Sequence, residues 1–222
     1  MVSLLLLLSI IIGLILAYQI KARRFSADGL LSFSSVYLLG TVFNHLFPEV
    51  YGKEDQGGVG FFVLSGILVQ VLLETITKGI EHGHIHSKGR SPFPYGIFLG
   101  LFAHSLLEAM AIHQDHHGLL YAILIHKIPV AAILYFFLTD ALESKKRVLF
   151  WMGIFALSAP LGIWIGELPL LSRYETYVNA FVAGIFIHIA TVIWFESSSG
   201  HKINSAKLLL FFLGIALSYI FS

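Results

Sequence analysis

Eight apolar stretches run through this chain and constrain its fold more than any other feature. Each approaches the roughly 20 apolar residues that a helix needs to cross the hydrocarbon core of a bilayer. The connections between them are short, and the stretches cover about residues 2–20, 27–48, 58–78, 93–113, 119–139, 148–166, 176–196 and 205–221. We therefore predict an all-α integral membrane protein with eight transmembrane helices, in which residues 1–222 form a single transmembrane domain.

Composition agrees with this prediction and excludes several classes of function. Hydrophobic residues make up 57% of the 222 residues and charged residues only 12%, too little charge to cover a soluble domain of this length. The chain has no cysteine, so disulfides, thiolate metal sites and cysteine nucleophiles are excluded. The formal net charge is +1, and with no large basic patch a nucleic-acid partner is not expected.

The distribution of basic residues predicts how the helices are oriented. Of the 14 lysines and arginines, eleven lie in or beside the odd-numbered loops, two lie in the even-numbered loops, and Lys127 lies inside a predicted helix. Loops rich in lysine and arginine stay in the cytoplasm. We therefore expect cytoplasmic odd loops, both termini outside, and a multi-pass protein of a plasma membrane or a bacterial inner membrane.

Ionisable side chains inside the fourth predicted helix give the first indication of function. His104 and Glu108 are four residues apart, so they share one side of that helix. An ionisable side chain at the centre of a lipid-buried helix costs at least about 2.5 kcal/mol, and such residues mark pathways or sites. The pair therefore predicts a polar site within the membrane.

His126, in the fifth predicted helix, is expected to join this pair. His104 lies nine residues from the outer end of its helix, Glu108 lies five, and His126 lies seven from the outer end of the next. At about 1.5 Å per residue, His126 is level with the gap between the other two. The short loop makes the two helices adjacent and antiparallel. Three donors of a type that suits zinc and related metals thus converge at one depth.

An alternative interpretation is that these side chains only satisfy one another. Glu108 and Lys127 could form a buried ion pair, and His104 could donate to a backbone carbonyl. Pro129 favours a site, because it frees the carbonyl of Ile125 from its helical hydrogen bond, and such backbone is tolerated where it lines a cavity. A simple packing kink is the other explanation of this proline.

Lys127 predicts how many ions such a site would hold. Its ammonium adjoins His126 and competes with a second metal ion for Glu108. Our hypothesis is that Lys127 occupies the place of a second cation, so that one metal binds per protomer. Two ions bridged by Glu108 would refute this hypothesis.

Polar residues at two other helix positions are weaker candidates for a pathway. Asn44, His45 and Glu49 lie near the outer end of the second helix, which we expect to stop at Pro48, and they line an entrance or a membrane interface. Asn179 and His188 lie in the seventh helix. For His188, a buried histidine with one hydrogen-bond partner is preferred slightly to direct metal ligation.

Two predicted loops are rich in histidine. The cytoplasmic loop of about residues 79–92 carries His82, His84 and His86, and the outer loop after the fourth helix carries His113, His116 and His117. Short histidine-rich tracts often bind metal weakly. Each loop alone could equally be a solvated segment without function, but a metal-collecting loop on either side of a membrane site is a coherent arrangement.

These motifs together resemble the ZIP (Zrt/Irt-like protein) family of divalent-metal transporters, over essentially the whole chain. NHLFPEV in the second helix is similar to that family's HLLPEA, and HSLLEAMAI in the fourth is similar to H-[SN]-x-x-[DE]-G-x-A-I, with Ala109 replacing glycine. HKIPVAAI in the fifth is similar to the H-E-x-P motif. SAPLGIWIG and VAGIFIHIA resemble the sixth and seventh family helices.

The resemblance implies particular residues for the transport site. It implies that His104, Glu108 and His126 hold the metal and that Ser105 matches a position that often helps a second metal. The family's acidic residue after the fifth-helix histidine is Lys127 here, and a further usual ligand is Val130. These departures favour a single ion. The resemblance also implies a homodimer, eight helices and an elevator-like or rocking movement.

Three functions follow as expectations. The first is transport of a divalent cation toward the cytoplasm, with zinc favoured and iron, manganese, cadmium, nickel or cobalt as alternatives, in contact with membrane lipid. The second is a non-transporting relative that senses metal or assists assembly, with Glu108–Lys127 as a permanent ion pair. The third is an intramembrane zinc hydrolase in which Glu108 activates water, although no HExxH motif is present. A transporter, rather than an enzyme, is the preferred reading.

Overall fold

A computed structural model of the chain describes residues 1–19, 28–52, 57–77, 93, 95–112, 117–197 and 205–221. In these ranges every regular element is a helix, as predicted. The elements in chain order are α1 (Val2–Gln19), α2 (Asp28–Thr41), a π-helical turn (Val42–Leu46), α3 (Phe47–Tyr51), α4 (Val59–Thr77), α5 (Tyr95–Ala109), α6 (His117–Ala141), α7 (Lys145–Ala156), α8 (Ser158–Gly166), α9 (Pro169–Ser172), α10 (Glu175–Ser197) and α11 (Ser205–Ile220).

Most of these helices are long and apolar enough to cross a bilayer. Six qualify among the described residues: Val2–Gln19, Gly29–Tyr51, Val59–Thr77, His117–Ala141, Lys145–Gly166 and Glu175–Phe195. Two shorter apolar helices, Tyr95–Ala109 and Leu208–Ile220, fall in the other two predicted stretches. The chain is therefore a multi-pass membrane protein. The count of eight spans and their direction stay predictions.

The second predicted helix does not stop at Pro48, and that prediction was wrong. The π-helical turn lets the N–H of Phe47 bond the carbonyl of Val42, five residues back. Pro48 then lies in the first positions of α3, where a missing N–H is tolerated. The helix therefore continues to Tyr51 and carries Glu49 on a regular turn.

The fourth predicted helix is shorter than expected. We predicted residues 93–113, whereas α5 begins at Tyr95 and ends at Ala109, and Met110 and Ala111 form a turn. The N–H groups of Met110 and Ile112 donate to the carbonyls of Leu107 and Ala109, three residues back, instead of to carbonyls four residues back as in an α-helix. Glu108 consequently lies in the last turn of its helix, one residue before the end.

The helices fall into two groups by their contacts. The first helix group contains α1, α5, α6, α7 and α8, which pack mainly on one another. The second helix group contains α2, α3, α4, α10 and α11, with α4 against α10 and α2 against α11 as its main contacts. The two groups meet where α2 contacts α6 and α4 contacts α5.

Glycines allow the closest helix contacts inside each group. A Cβ on Gly184 of α10 would overlap the carbonyl oxygen of Val63 on α4. In the first helix group, a Cβ on Gly162 of α8 would overlap the carbonyl oxygen of Leu106 on α5. Small residues permit such backbone approach in membrane helices. The α5–α8 contact lies beside His104 and Glu108, so it fixes the helix that carries both.

Candidate metal centre

The three predicted donors meet at one place in the membrane domain. α5 presents His104 and Glu108 from successive turns of one side, and α6 presents His126 across from them. One ligand atom from each lies within 4.8 Å of the other two, and all three side chains are buried. The histidine rings are nearly perpendicular, with centroids 5.9 Å apart. The convergence expected from helix depth is therefore present.

The spacing of these donors suits an ion after a small adjustment. Zinc lies about 2.0–2.2 Å from nitrogen and oxygen ligands, which puts tetrahedral ligands about 3.3 Å apart. Nε2 of His104 and Oε2 of Glu108 are 3.5 Å apart, close to that value. The donor atoms of the whole set lie within 4.8 Å of one another, so those that are furthest apart must move closer to share one ion. The residues present therefore fit a divalent ion in type and in position.

Lys127 forms an ion pair with the carboxylate of Glu108, which is one of the three donors. Its Nζ donates to Oε1 of Glu108, and both side chains are buried. Oε2, the other oxygen, is buried and accepts no hydrogen bond within the part of the chain that the structure describes. Glu108 thus directs one oxygen toward the ammonium and the other toward His104. The ammonium lies in the same polar space as the donors, as the sequence predicted.

Ser105 belongs to a hydrogen-bond chain rather than to the three-donor group. Lys127 Nζ donates to Ser105 Oγ at 2.7 Å, and Ser105 Oγ lies 2.6 Å from Ser158 Oγ of α8. Ser158 donates its only hydroxyl hydrogen to the carbonyl of Phe155. Ser105 must therefore donate to Ser158 and accept from Lys127. This chain orients the lysine that neutralises Glu108.

Each histidine also contacts a polar side chain of the second helix group. Nδ1 of His104 lies 3.3 Å from Oε1 of Gln70 on α4. Nδ1 of His126 lies 3.5 Å from Oγ of Ser34 on α2. Gln70 and Ser34 are fully buried. The site is thus built at the contact between the two helix groups, with the ligands on one and their supporting residues on the other.

Pro129 and Val130 lie one turn further along α6. The helix continues across Pro129, which is buried and leaves the carbonyl of Ile125 without its helical N–H donor. Val130 packs in an apolar cluster to which helices of both groups contribute. It therefore contributes no polar atom beside His126.

Two of the weaker pathway candidates contact each other at the end of α3. Asn179 of α10 is fully buried, and its Nδ2 donates to Oε1 of Glu49 at 2.9 Å. His45 is the last residue but one of the π-helical turn and lies about one helical turn before Glu49. Asn44 instead donates to Ser218 of α11. Glu49 and Asn179 thus form a polar contact between α3 and α10, one helical turn from His45.

His188 pairs with a carboxylate on the neighbouring helix. Its Nε2 lies 2.5 Å from Oε2 of Glu74 on α4, and both side chains are partly exposed. Glu74 lies one helical turn beyond Gln70, on the same side of α4. The predicted hydrogen-bond partner for His188 is therefore present, but the histidine is only partly buried rather than buried as expected. That His188 lies on a pathway for the metal ion stays a prediction.

Most of the loop histidines lie outside the described residues. This holds for His82, His84 and His86 of the loop predicted to be cytoplasmic and for His113 and His116 of the loop predicted to lie outside. His117 is described and is exposed at the first residue of α6. Their weak metal sites stay predictions.

Three supporting residues were missed by the sequence interpretation. Gln70 could have been found, because an amide in the middle of an apolar stretch is as conspicuous as a histidine. Ser34 and Ser158 carried no such signal, since serines are scattered through many membrane helices. Only the helix packing brings these three side chains to the site.

The chain is thus a multi-pass helical membrane protein with imidazole and carboxylate side chains buried between its helices, a set that could hold a metal ion. Residues 81–222 match the sequence model of the ZIP zinc transporter family, which is more than half of the chain and includes the three donors. The chain belongs to the ZIP family.

Curated relatives support this assignment. The zinc transporter ZIP1 of Takifugu rubripes is 29% identical over 154 residues, which cover 62% of this chain and 50% of the relative. The zinc transporter ZIP1 of Danio rerio is 28% identical over 135 residues, which cover 56% of this chain and 42% of the relative. The matched region thus spans about half the length of these relatives.

Proposed function

We propose that this protein carries a divalent cation, with zinc favoured, across its membrane toward the cytoplasm through one buried ion site. The observation that carries the proposal is the convergence of His104, Glu108 and His126 between the two helix groups of a ZIP family member. The relatives named zinc transporters favour zinc as the cargo. Iron, manganese, cadmium, nickel and cobalt are alternative cargoes that similar ligands accept.

In this proposal the three side chains hold the ion together. His104 and His126 supply neutral nitrogens and Glu108 supplies Oε2, the oxygen that Lys127 leaves accessible. This leaves one position of a tetrahedral shell for water or for the next ligand on the route. Ser105 would act through Lys127 rather than by touching the ion, because its hydroxyl is engaged with Lys127 and Ser158.

Lys127 supports a stoichiometry of one ion. At an effective dielectric constant of 20, two unit charges 4 Å apart repel by about 4 kcal/mol. Because a divalent ion carries two charges, a second ion 4 Å from the ammonium would be repelled by about twice that energy. In addition, Oε1 of Glu108 already accepts a hydrogen bond from Lys127. The lysine is thus a fixed cation in place of a second metal.

The remaining polar residues suggest a route. Glu49, Asn179 and His45 would receive the ion from outside, and His188 with Glu74 would receive it after the central site. The cytoplasmic loop with His82, His84 and His86 would follow. The bias of basic residues toward the odd loops supports the placing of His188, Glu74 and the histidine-rich loop on the cytoplasmic side, and the inward direction itself follows from the family resemblance. Protonation of histidine would assist release.

The homodimer and the elevator-like movement belong to the same proposal, because the family resemblance implies both. The two helix groups are suitable moving parts, since the contacts within each are more extensive than those between them. Large apolar side chains on α4, such as Phe61, Leu64 and Leu68, are exposed and are suited to lipid or to a second copy.

The proposal is tested by zinc flux into liposomes. Purified protein reconstituted with an internal zinc dye should produce a fluorescence rise above that of empty liposomes. A variant with both His104→Ala and His126→Ala should lose this rise, because two of the three donors are gone. Ser35→Ala is the matched control, since Ser35 is buried in α2 and its hydroxyl donates to the carbonyl of Ser32 in its own helix. Equal flux in the double variant and in this control would end the proposal.

The Glu108–Lys127 pair favours one second candidate, a relative that binds metal as a sensor or assembly partner without transporting it. A permanent pair predicts weak zinc binding in the native protein and strong binding in Lys127→Ala, because the variant frees both carboxylate oxygens. A transport site predicts clear binding before the change. Zinc titration of both proteins by calorimetry separates the two, and native binding as tight as that of Lys127→Ala would rule out the locked pair.

The hydrolase is the least supported candidate. Glu108, which would have to activate the water, is already paired with Lys127, and the sequence contains no HExxH motif. The family is one of transporters, which favours the same conclusion.

A further inference from the structure

We infer that Gln70 and Ser34 are positioning residues, which hold both metal-binding histidines in the tautomer and orientation that present Nε2 to the ion. The inference rests on the proposed function of the central site. It concerns residues that no part of the family match covers, because both lie before residue 81.

The contact between His104 and Gln70 defines one tautomer. Oε1 of Gln70 is a carbonyl oxygen, which accepts hydrogen bonds and never donates them. It lies 3.3 Å from Nδ1 of His104, so Nδ1 carries the hydrogen. Nε2 then has the lone pair, and it is the nitrogen that lies 3.5 Å from Oε2 of Glu108. This is the arrangement that a metal ligand requires.

The contact between His126 and Ser34 indicates the same tautomer, with the hydrogen on Nδ1, from a different argument. Ser34 donates its one hydroxyl hydrogen to the carbonyl of Leu31 at 3.0 Å. Its oxygen can then only accept, so Nδ1 of His126, 3.5 Å away, is the donor. Nε2 of His126 keeps its lone pair for the ion.

Both positioning residues come from the second helix group, while both histidines belong to the first. Gln70 is on α4 and Ser34 on α2, and each is fully buried in the contact between the groups. The histidines therefore keep this orientation only while the two groups hold the relative position observed here. Metal affinity should consequently depend on side chains that do not touch the metal.

The test is zinc affinity of the full-length protein in lipid nanodiscs, measured by competition with a fluorescent chelator. Gln70→Leu should weaken affinity by about 10- to 100-fold, the usual effect of losing such a supporting partner. Ser34→Ala should weaken zinc affinity by up to about tenfold. The expected effect is smaller because the 3.5 Å distance between Ser34 Oγ and His126 Nδ1 is at the limit of a hydrogen bond. Gln70→Glu, which keeps an acceptor, should equal or exceed the wild-type affinity.

Matched controls exist for both positions. Thr77→Val changes another buried polar residue of α4, whose hydroxyl donates to the carbonyl of Glu74 in its own helix. Ser35→Ala removes a buried hydroxyl next to Ser34, and that hydroxyl bonds its own helix. Both controls should bind zinc as the wild type does. In Gln70→Leu, the visible absorption of bound Co²⁺ should also change, because the ring of His104 is free to turn.

The outcomes separate the inference from the proposed function. Wild-type protein that binds no zinc would overturn the proposed function and this inference with it. Wild-type binding with Gln70→Leu and Ser34→Ala equal to their controls would overturn the inference alone. Equal losses in Gln70→Glu and Gln70→Leu would also overturn it, because the acceptor would then be irrelevant. If Gln70→Leu does not fold, the zinc affinities of Gln70→Glu and Ser34→Ala still test the inference.

Discussion

Replacing Glu108 with alanine is expected to reduce zinc uptake into liposomes to the level of liposomes without protein. The change removes the carboxylate of the three-donor group and leaves two neutral nitrogens to hold a doubly charged ion. It also leaves the ammonium of Lys127 buried without its counter-charge. That ammonium would repel the ion that the carboxylate previously attracted, so both effects act in the same direction.

The same substitution should destabilise the protein, and this has to be separated from the loss of transport. Breaking a buried ion pair by removing one partner costs about 3–5 kcal/mol. The double variant Glu108→Ala/Lys127→Ala removes both charges and should recover most of the thermal stability in detergent, yet it should still fail to transport. Glu167→Ala is the control, because that carboxylate is exposed at the end of α8. Uptake by the double variant at the wild-type rate would exclude Glu108 as a ligand.

Replacing Gly184 with alanine is expected to be among the most damaging single-methyl changes in the second helix group. The new Cβ would overlap the backbone carbonyl oxygen of Val63, which cannot move away without separating α4 from α10. Extra methyl groups in a packed interior cost about 1–3 kcal/mol, and more where the obstacle is backbone. The same helices position Gln70 and Glu74, so zinc affinity should fall with stability.

Gly153 offers an opposite control for this prediction. A Cβ at Gly153 of α7 meets no atom within 4 Å. Alanine there should leave stability unchanged or raise it by up to about 1 kcal/mol, because alanine favours the helix more than glycine does. Thermal aggregation measured by size-exclusion chromatography would compare the two variants. A Gly184→Ala protein as stable as Gly153→Ala would show that α4 and α10 do not approach as closely as described.

The sequence predicted much of the fold because membrane helices leave a strong local signal. Long apolar stretches identified the helices, and their bounds agree within a few residues for most of them. Two helix ends were predicted wrongly, at Pro48 and at the end of the fourth helix. Both errors have local causes that the hydropathy of a segment does not reveal. A π-helical turn accommodated the proline, and a change from helical to turn hydrogen bonds ended α5 at Ala109.

The candidate site was predictable in part for a related reason. His104 and Glu108 are close because residues four apart in a helix always are, and helix direction placed His126 at their depth. The contacts of Ser105 were not predictable. A family motif assigns that serine a position near metal, whereas helix packing turns its hydroxyl to Lys127 and Ser158.

By itself the sequence determined the class of protein, the positions of most helices and the three donors. These depend on properties of single segments: apolar length, helical periodicity and the cost of an ionisable group in lipid. The tertiary structure decided which side chains support the donors. Gln70 is 34 residues from His104, and Ser34 is 92 residues from His126. Contacts of this kind depend on how each helix is rotated against its neighbours, which is set by packing across the whole bundle and leaves no pattern in any one segment.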